Sequence, residues 1–132
     1  MLNKTDNGVT LSNEEQHELE WFCRRYDSMQ RKLADCYGLH SGGYDNVGAS
    51  RGGGTHSDPT AAVALRAIKL REDIDLIDKA LDAAADDIIK PYLKRAVTRG
   101  LKYEIINPPM GRRQFYALRR RFFVVLWQLR NP

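Results

Sequence analysis

Arginine is the side chain best suited to gripping both a phosphate and a guanine edge, because its guanidinium offers paired N–H donors in a fixed fork. The run Gly111-Arg112-Arg113-Gln114-Phe115-Tyr116-Ala117-Leu118-Arg119-Arg120-Arg121-Phe122-Phe123 sets five arginines among aromatic and apolar residues at helical spacing. Phe115, Leu118, Phe122, Val125, Leu126 and Leu129 recur every three or four residues and share one face of a helix. Arg112, Arg113, Tyr116, Arg119 and Arg120 fall away from it. In a major groove, Arg112, Arg113, Tyr116 and, one turn on, Arg120 are expected to approach base edges. Lys94, Arg95, Arg99, Lys102, Arg119 and Arg121 are expected to bind phosphates.

The rest of the chain sharpens that chemistry. From Ile88 onward it carries eleven basic side chains against Glu104 alone, a net charge of +10, whereas the first 87 residues sum to −6. The total of +4 hides this polarity. So dense a set of cations repels itself unless a polyanion is near, and it releases counterions when it meets a phosphate backbone. Duplex DNA is therefore the expected partner, touched by one end of the molecule.

A chain of 132 residues implies one core, at most with an extension. No run approaches the roughly 20 apolar residues of a membrane span, and Met1–Gly8 lacks the apolar region of a signal peptide, so a cytoplasmic location and no membrane partner are expected. Cys23 and Cys36 lie about 20 Å apart along a helix at 1.5 Å per residue, too far for an intrachain disulfide. Both are expected to be reduced. With His40 and His56 they make a poor zinc set, since structural sites begin with closely spaced cysteines. The glycines after Gly48 are not followed by Gly-Lys-Ser/Thr, so no nucleotide loop is expected, nor any cofactor or metal.

The elements that position these residues are all helical; no segment alternates as a strand does, so the fold class is all-α. Residues 1–37 hold an N-terminal helix starting at Ser12, whose capping box with Glu15 closes its first turn. Its stripe is Leu19, Phe22, Tyr26, Met29, Leu33 and Cys36, and Gly38 stops it. Residues 38–57 contain seven glycines and form a flexible link. Asp58-Pro59 restarts a long amphipathic helix over 58–85, with Val63, Ala67, Leu70, Ile74, Ile77 and Leu81 inward. The two helices are expected to close as an antiparallel hairpin, or to use the same stripes between two chains in a homodimer.

Residues 86–132 form the basic region. Asp86 and Asp87 are placed to cap a helix carrying Ile88, Ile89, Tyr92, Leu93, Ala96 and Val97. Pro91 falls in its first turn or marks a kink. Gly100 ends it, a short helix runs from Leu101 to about Ile106, and Asn107-Pro108-Pro109-Met110-Gly111 forces a turn before the last helix. The apolar face of that last helix is expected to pack on Leu93, Val97 and Ile105. Short helix, turn and long basic helix is the order of a helix-turn-helix.

Three stretches carry a resemblance to a family: Asp45-Asn46-Val47-Gly48 with Arg51-Gly52-Gly53 and Ser57-Asp58-Pro59-Thr60; Ala96-Val97-Thr98-Arg99-Gly100; and Arg113-Gln114-Phe115-Tyr116-Ala117-Leu118-Arg119-Arg120-Arg121-Phe122. Over about residues 44–126 the chain resembles the phage and prophage late-gene transcriptional regulators related to RinA and ArpU. The resemblance implies a non-enzymatic DNA-binding activator whose C-terminal domain is similar to the promoter-reading part of a sigma factor. Host RNA polymerase is then a candidate partner for the acidic hairpin. Its departure from the family is the Asn107-Pro108-Pro109 turn.

Two other classes fit less well. A small terminase-like packaging protein also joins a helix-turn-helix to an oligomerising hairpin, but with the DNA-binding part first. An enzyme would need paired acids in an apolar pocket, whereas Asp73, Asp75, Asp78 and Asp82 are expected on the outer face of the long helix.

Overall fold

A computed structural model describes residues 10–38 and 57–132, with side chains in the second stretch from Thr60 onward. The link expected over 38–57 and its histidines therefore fall, Gly38 and Ser57 apart, outside the described residues. Among the described residues no strand occurs and there are six helices: α1 (Asn13–Arg24), α2 (Tyr26–Cys36), α3 (Ser57–Ala84), α4 (Lys90–Arg99), α5 (Tyr103–Ile106) and α6 (Arg112–Arg130). They form two compact units, one of residues up to Tyr26 with Asp75–Pro132, the other Asp27–Ile74. This division cuts across the segments expected from composition. It joins α1 to the C-terminal helices and divides the long α3 between the units.

The start of α1 follows from its sequence. Ser12 Oγ accepts the Glu15 N–H at 3.1 Å, and Glu15 Oε1 accepts the Ser12 N–H at 2.9 Å, closing the capping box. The single helix expected through Cys36 is interrupted at Arg25, whose N–H reaches back only three residues to the Phe22 carbonyl at 3.2 Å. The tightened turn leaves the apolar stripe intact, with Leu19, Phe22, Cys23, Tyr26 and Met29 all buried. Gly38 stands at φ +70°, the left-handed conformation that glycine adopts without strain at a helix end.

In the first unit, α1 packs against α4 and α6, and α4 packs also against α5 and α6. Leu19, Phe22 and Cys23 from α1, Ile77 and Leu81 from α3, Leu93 and Val97 from α4, and Phe115, Phe122 and Leu126 from α6 are almost wholly enclosed. Each such aliphatic or aromatic side chain contributes about 1.5–3 kcal/mol relative to exposure. The Tyr26 hydroxyl donates to Asp78 Oδ1 at 2.8 Å, and Lys94 Nζ lies 4.6 Å from the centre of the Tyr26 ring.

The junctions obey local rules. Asp86 Oδ1 accepts the N–H groups of Ile88 and Ile89 at 3.0 and 2.9 Å, the expected cap, but α4 proper begins only at Lys90. Ile88 is consequently 70% exposed instead of facing the core. Pro91 sits in the first turn, where its missing N–H costs nothing, so no kink arises from it. Gly100 ends α4 at φ +66°. The expected short helix is a single turn. Beyond it Asn107 takes φ +49° and the Tyr103 hydroxyl donates to the Met110 carbonyl at 2.6 Å, stapling the Pro-Pro turn.

The inward positions of α5 and α6 are corrected. Ile106, not Ile105, is buried; Ile105 is 64% exposed. On α6 the buried set is Phe115, Phe122, Phe123, Val124 and Leu126, while Leu118, Val125 and Leu129 are half-buried. Packing on α1 as well as α4 widens the covered arc and turns it toward Phe123 and Val124. In the second unit, Met29, Ala67 and Ile74 are buried and Leu33, Val63 and Leu70 half-buried, as their spacing requires. Tyr37 meets Arg71, the guanidinium 5.6 Å from the ring centre and in hydrogen-bond contact with the hydroxyl. Asp73, expected outside, is buried and lies 3.3 Å from Lys69 Nζ.

Denaturant unfolding separates the two isoleucines: Ile106→Ala is expected to cost about 2–5 kcal/mol and Ile105→Ala less than about 0.5 kcal/mol. A second expectation concerns Cys23, whose thiol burial pushes up from 9.0 to about 12, against a weaker downward pull from Arg119 and Arg130. As pH rises past 9 the unfolded chain loses this proton first, so stability falls between pH 9 and 12 and is fully retained below that window. Unfolding titrations at pH 8 and 10 should show a fall in the wild type that is smaller in Cys23→Ala.

Candidate nucleic-acid interface

The structure sorts the cations of the C-terminal region by what surrounds them. Arg95 and Arg99 are exposed on α4, Lys102 at the N-cap of α5, and Arg112, Arg113 and Arg121 on α6. Arg113, Ala117 and Arg121 are spaced four apart, so they stand one above another on a single exposed stripe of α6. These six cations all belong to the first compact unit.

Other cations and the tyrosine of the expected contact set are less exposed. Arg119, placed by spacing away from the apolar face, instead lies 3.3 Å from Glu20 Oε2 on α1 and 4.9 Å from the centre of the Phe123 ring. Its side chain is 30% exposed, because the face of α6 that α1 covers includes Arg119. Arg120 is half-buried and, with Arg119, lines a crevice of about 240 Å³ shared with Gln16 and Glu20. Lys94 is half-buried over the Tyr26 ring. Tyr116 is half-buried in an aromatic group, its ring centre 6.5 Å from Tyr103 and 6.2 Å from Phe115. That position secures the turn of α5 to the start of α6.

Arg112 is intermediate between these cases. Its side chain is 61% exposed, pairs with Glu104 and lies 5.5 Å from the centre of the Tyr116 ring. Glu104 is held below the usual carboxylate range first by a backbone hydrogen bond and then by Arg112, so it remains an anion beside that guanidinium at neutral pH. Lys90 is committed to Asp82 and to Asp87, the latter at 3.4 Å, and its proton is held above the ordinary lysine value chiefly by the hydrogen bond to Asp82. Arg130 lies 4.1 Å from the centre of the Phe22 ring and 3.9 Å from Glu18.

The arrangement offers exposed cations and hydrogen-bond donors. Cys23 is buried. Among the described residues no group of three His, Cys, Asp or Glu side chains is placed to hold a metal ion, and no helix is long and apolar enough to cross a membrane.

One cation near this surface escaped the sequence reading. Arg24, at the end of α1, lays its guanidinium across Gly100, where a Cβ would overlap it. It belongs to the acidic part of the sequence, and only the packing of α1 on α4 brings it to the turn between Arg99 and Lys102. The chain matches no family model, no curated protein and no solved structure.

Arg119→Gln is expected to lower stability by about 1 kcal/mol, through the loss of a half-exposed ion pair and its ring contact. Arg113→Gln is expected to leave thermal unfolding unchanged, and a melt of each variant beside the wild type checks both.

Proposed function

We propose that this chain binds duplex DNA through its C-terminal helices and acts as a transcription regulator of the phage late-gene type. The observation that carries the reading is the set of exposed cations on α4, α5 and α6, with Arg113 and Arg121 aligned on one stripe of the last helix. Arg112 and Arg113, in the first turn of α6, are the candidates for base edges. Arg95, Arg99, Lys102 and Arg121 are the candidates for phosphates. Arg119, Lys94 and Tyr116 serve the fold first.

The order α5, stapled turn, α6 supports a helix-turn-helix with a first helix one turn long, and the resemblance read in the sequence of residues 44–126 to RinA- and ArpU-related regulators supports the same reading. The contact of Tyr37 with Arg71 supports a helical hairpin of α2 and α3. Leu65 and Ile68 are exposed on α3 and give that hairpin an apolar surface for RNA polymerase or a second protomer.

Binding to random and to late-promoter duplexes across a salt series tests the reading. Each phosphate contact contributes about −0.9 to the slope of log affinity on log salt, so Arg95→Gln and Arg121→Gln should each reduce the slope by about one. Arg113→Gln should weaken the preference for the promoter by about 1–3 kcal/mol. Absence of duplex binding at low salt would end the proposal. A solution mass corresponding to a large ring would move the protein to DNA packaging.

A further inference from the structure

Trp21 is 72% exposed, the most exposed of the large apolar side chains described, whereas every phenylalanine is buried. Indole presents a broad apolar face and one N–H donor, a combination that recurs where a surface is half covered by a partner. Charge identifies the partner. Glu20, its neighbour in sequence, accepts from Gln16 Nε2 at 3.0 Å and lies 3.3 Å from Arg119, and Glu18 lies 3.9 Å from Arg130. The acids of this end of α1 thus face cations of their own, while Arg24 and Arg25 follow one turn later on exposed positions.

Trp21 and Arg24 are three residues apart, hence on one side of α1, and together with Glu20 they line a hollow of about 150 Å³. The placement of Arg24 is built into the fold. Gly100 has φ +66° and no side chain, and the guanidinium occupies the space that any Cβ there would need. Arg24 therefore sits at the turn flanked by Arg99 and Lys102, continuous with the cations assigned to DNA above.

We propose that the end of α1 is part of the duplex-DNA surface, Arg24 holding a backbone phosphate and Trp21 lying against the adjoining sugars. The inference rests on the DNA-binding reading and adds to it an element from the acidic part of the sequence. The contact is with the backbone and carries no base preference, so it should contribute equally on random and promoter duplexes.

The chain has two tryptophans, so Trp127→Phe leaves Trp21 as the sole emitter. Acrylamide quenching of this variant of the 132-residue chain, with and without a saturating random duplex at low salt, reads the contact directly. The quenching constant is expected to fall by half or more on the duplex. In the wild-type background, Arg24→Gln should reduce the salt slope by about one without changing the melt, a second readout that does not depend on Trp127→Phe folding.

Unchanged quenching while anisotropy reports full binding, together with an unaltered salt slope in Arg24→Gln, would overturn this inference and leave the DNA reading intact. No anisotropy change at all would overturn both. Protection of Trp21 that grows with protein concentration in the absence of DNA would overturn it in favour of a contact between two copies of the chain.

Discussion

Burial of the apolar stripe of α1 is the contact on which the rest of this structure depends. Leu19, Phe22 and Cys23 leave water only because α4 and α6 lie against them, and those helices in turn cover their own Leu93, Phe122 and Leu126. Without α1, the basic helix would expose Phe123 and Val124 and leave Arg119 and Arg130 with no carboxylates to face. Four residues of ordered turn in α5 and a Pro-Pro corner could not hold α6 in place alone, since isolated helices of this length are marginal in water. The C-terminal basic region is therefore one part of a larger core that begins near residue 11.

Electrostatics shapes what that core can carry. Two like charges 10 Å apart at the surface repel by only about 0.4 kcal/mol before screening, but the repulsion accumulates over a strongly cationic region. Acidic residues reduce it at chosen points: Glu20 beside Arg119 and Asp82 and Asp87 beside Lys90 from earlier in the chain, and Glu104 beside Arg112 from within the basic region. Most of these pairs are well exposed and individually contribute little stability. Their geometry accompanies different exposures: Arg119 is drawn in beside Glu20, whereas Arg112 stays 61% exposed beside Glu104, and Arg95, Arg99, Lys102, Arg113 and Arg121 are also exposed. A linear sum of charge along the chain cannot make that distinction.

Much of the framework was legible because it is local. The capping box at Ser12, the stop at Gly38, Pro91 in a first turn, the end at Gly100 and the corner at Asn107-Pro108-Pro109 each follow from the conformational preferences of a few adjacent residues. The departures arise where two candidates were equally apolar or where a neighbour was unknown. Ile105 and Ile106 differ in no intrinsic way; which of them faces inward is set by the rotation of a single turn of helix against α4. The face of α6 was read about one position away from its true centre because periodicity reports a stripe but not how many helices will cover it.

What the sequence by itself determined is the helical class, the stops at Gly38 and Gly100, the Pro-Pro corner, the inward stripes of the first helical segment and of α3, and the accumulation of cations after Ile88, since all of these depend on residue type and on local spacing. Tertiary structure alone decided that α1 joins the C-terminal helices, that Arg119 and Tyr116 face the fold and Arg113 and Arg121 face solvent, and that Arg24 arrives at the turn after α4. The physical reason is that side-chain direction on a helix is fixed only relative to that helix. Which direction is outside depends on partners tens of residues away, chosen by the burial of apolar area they offer one another.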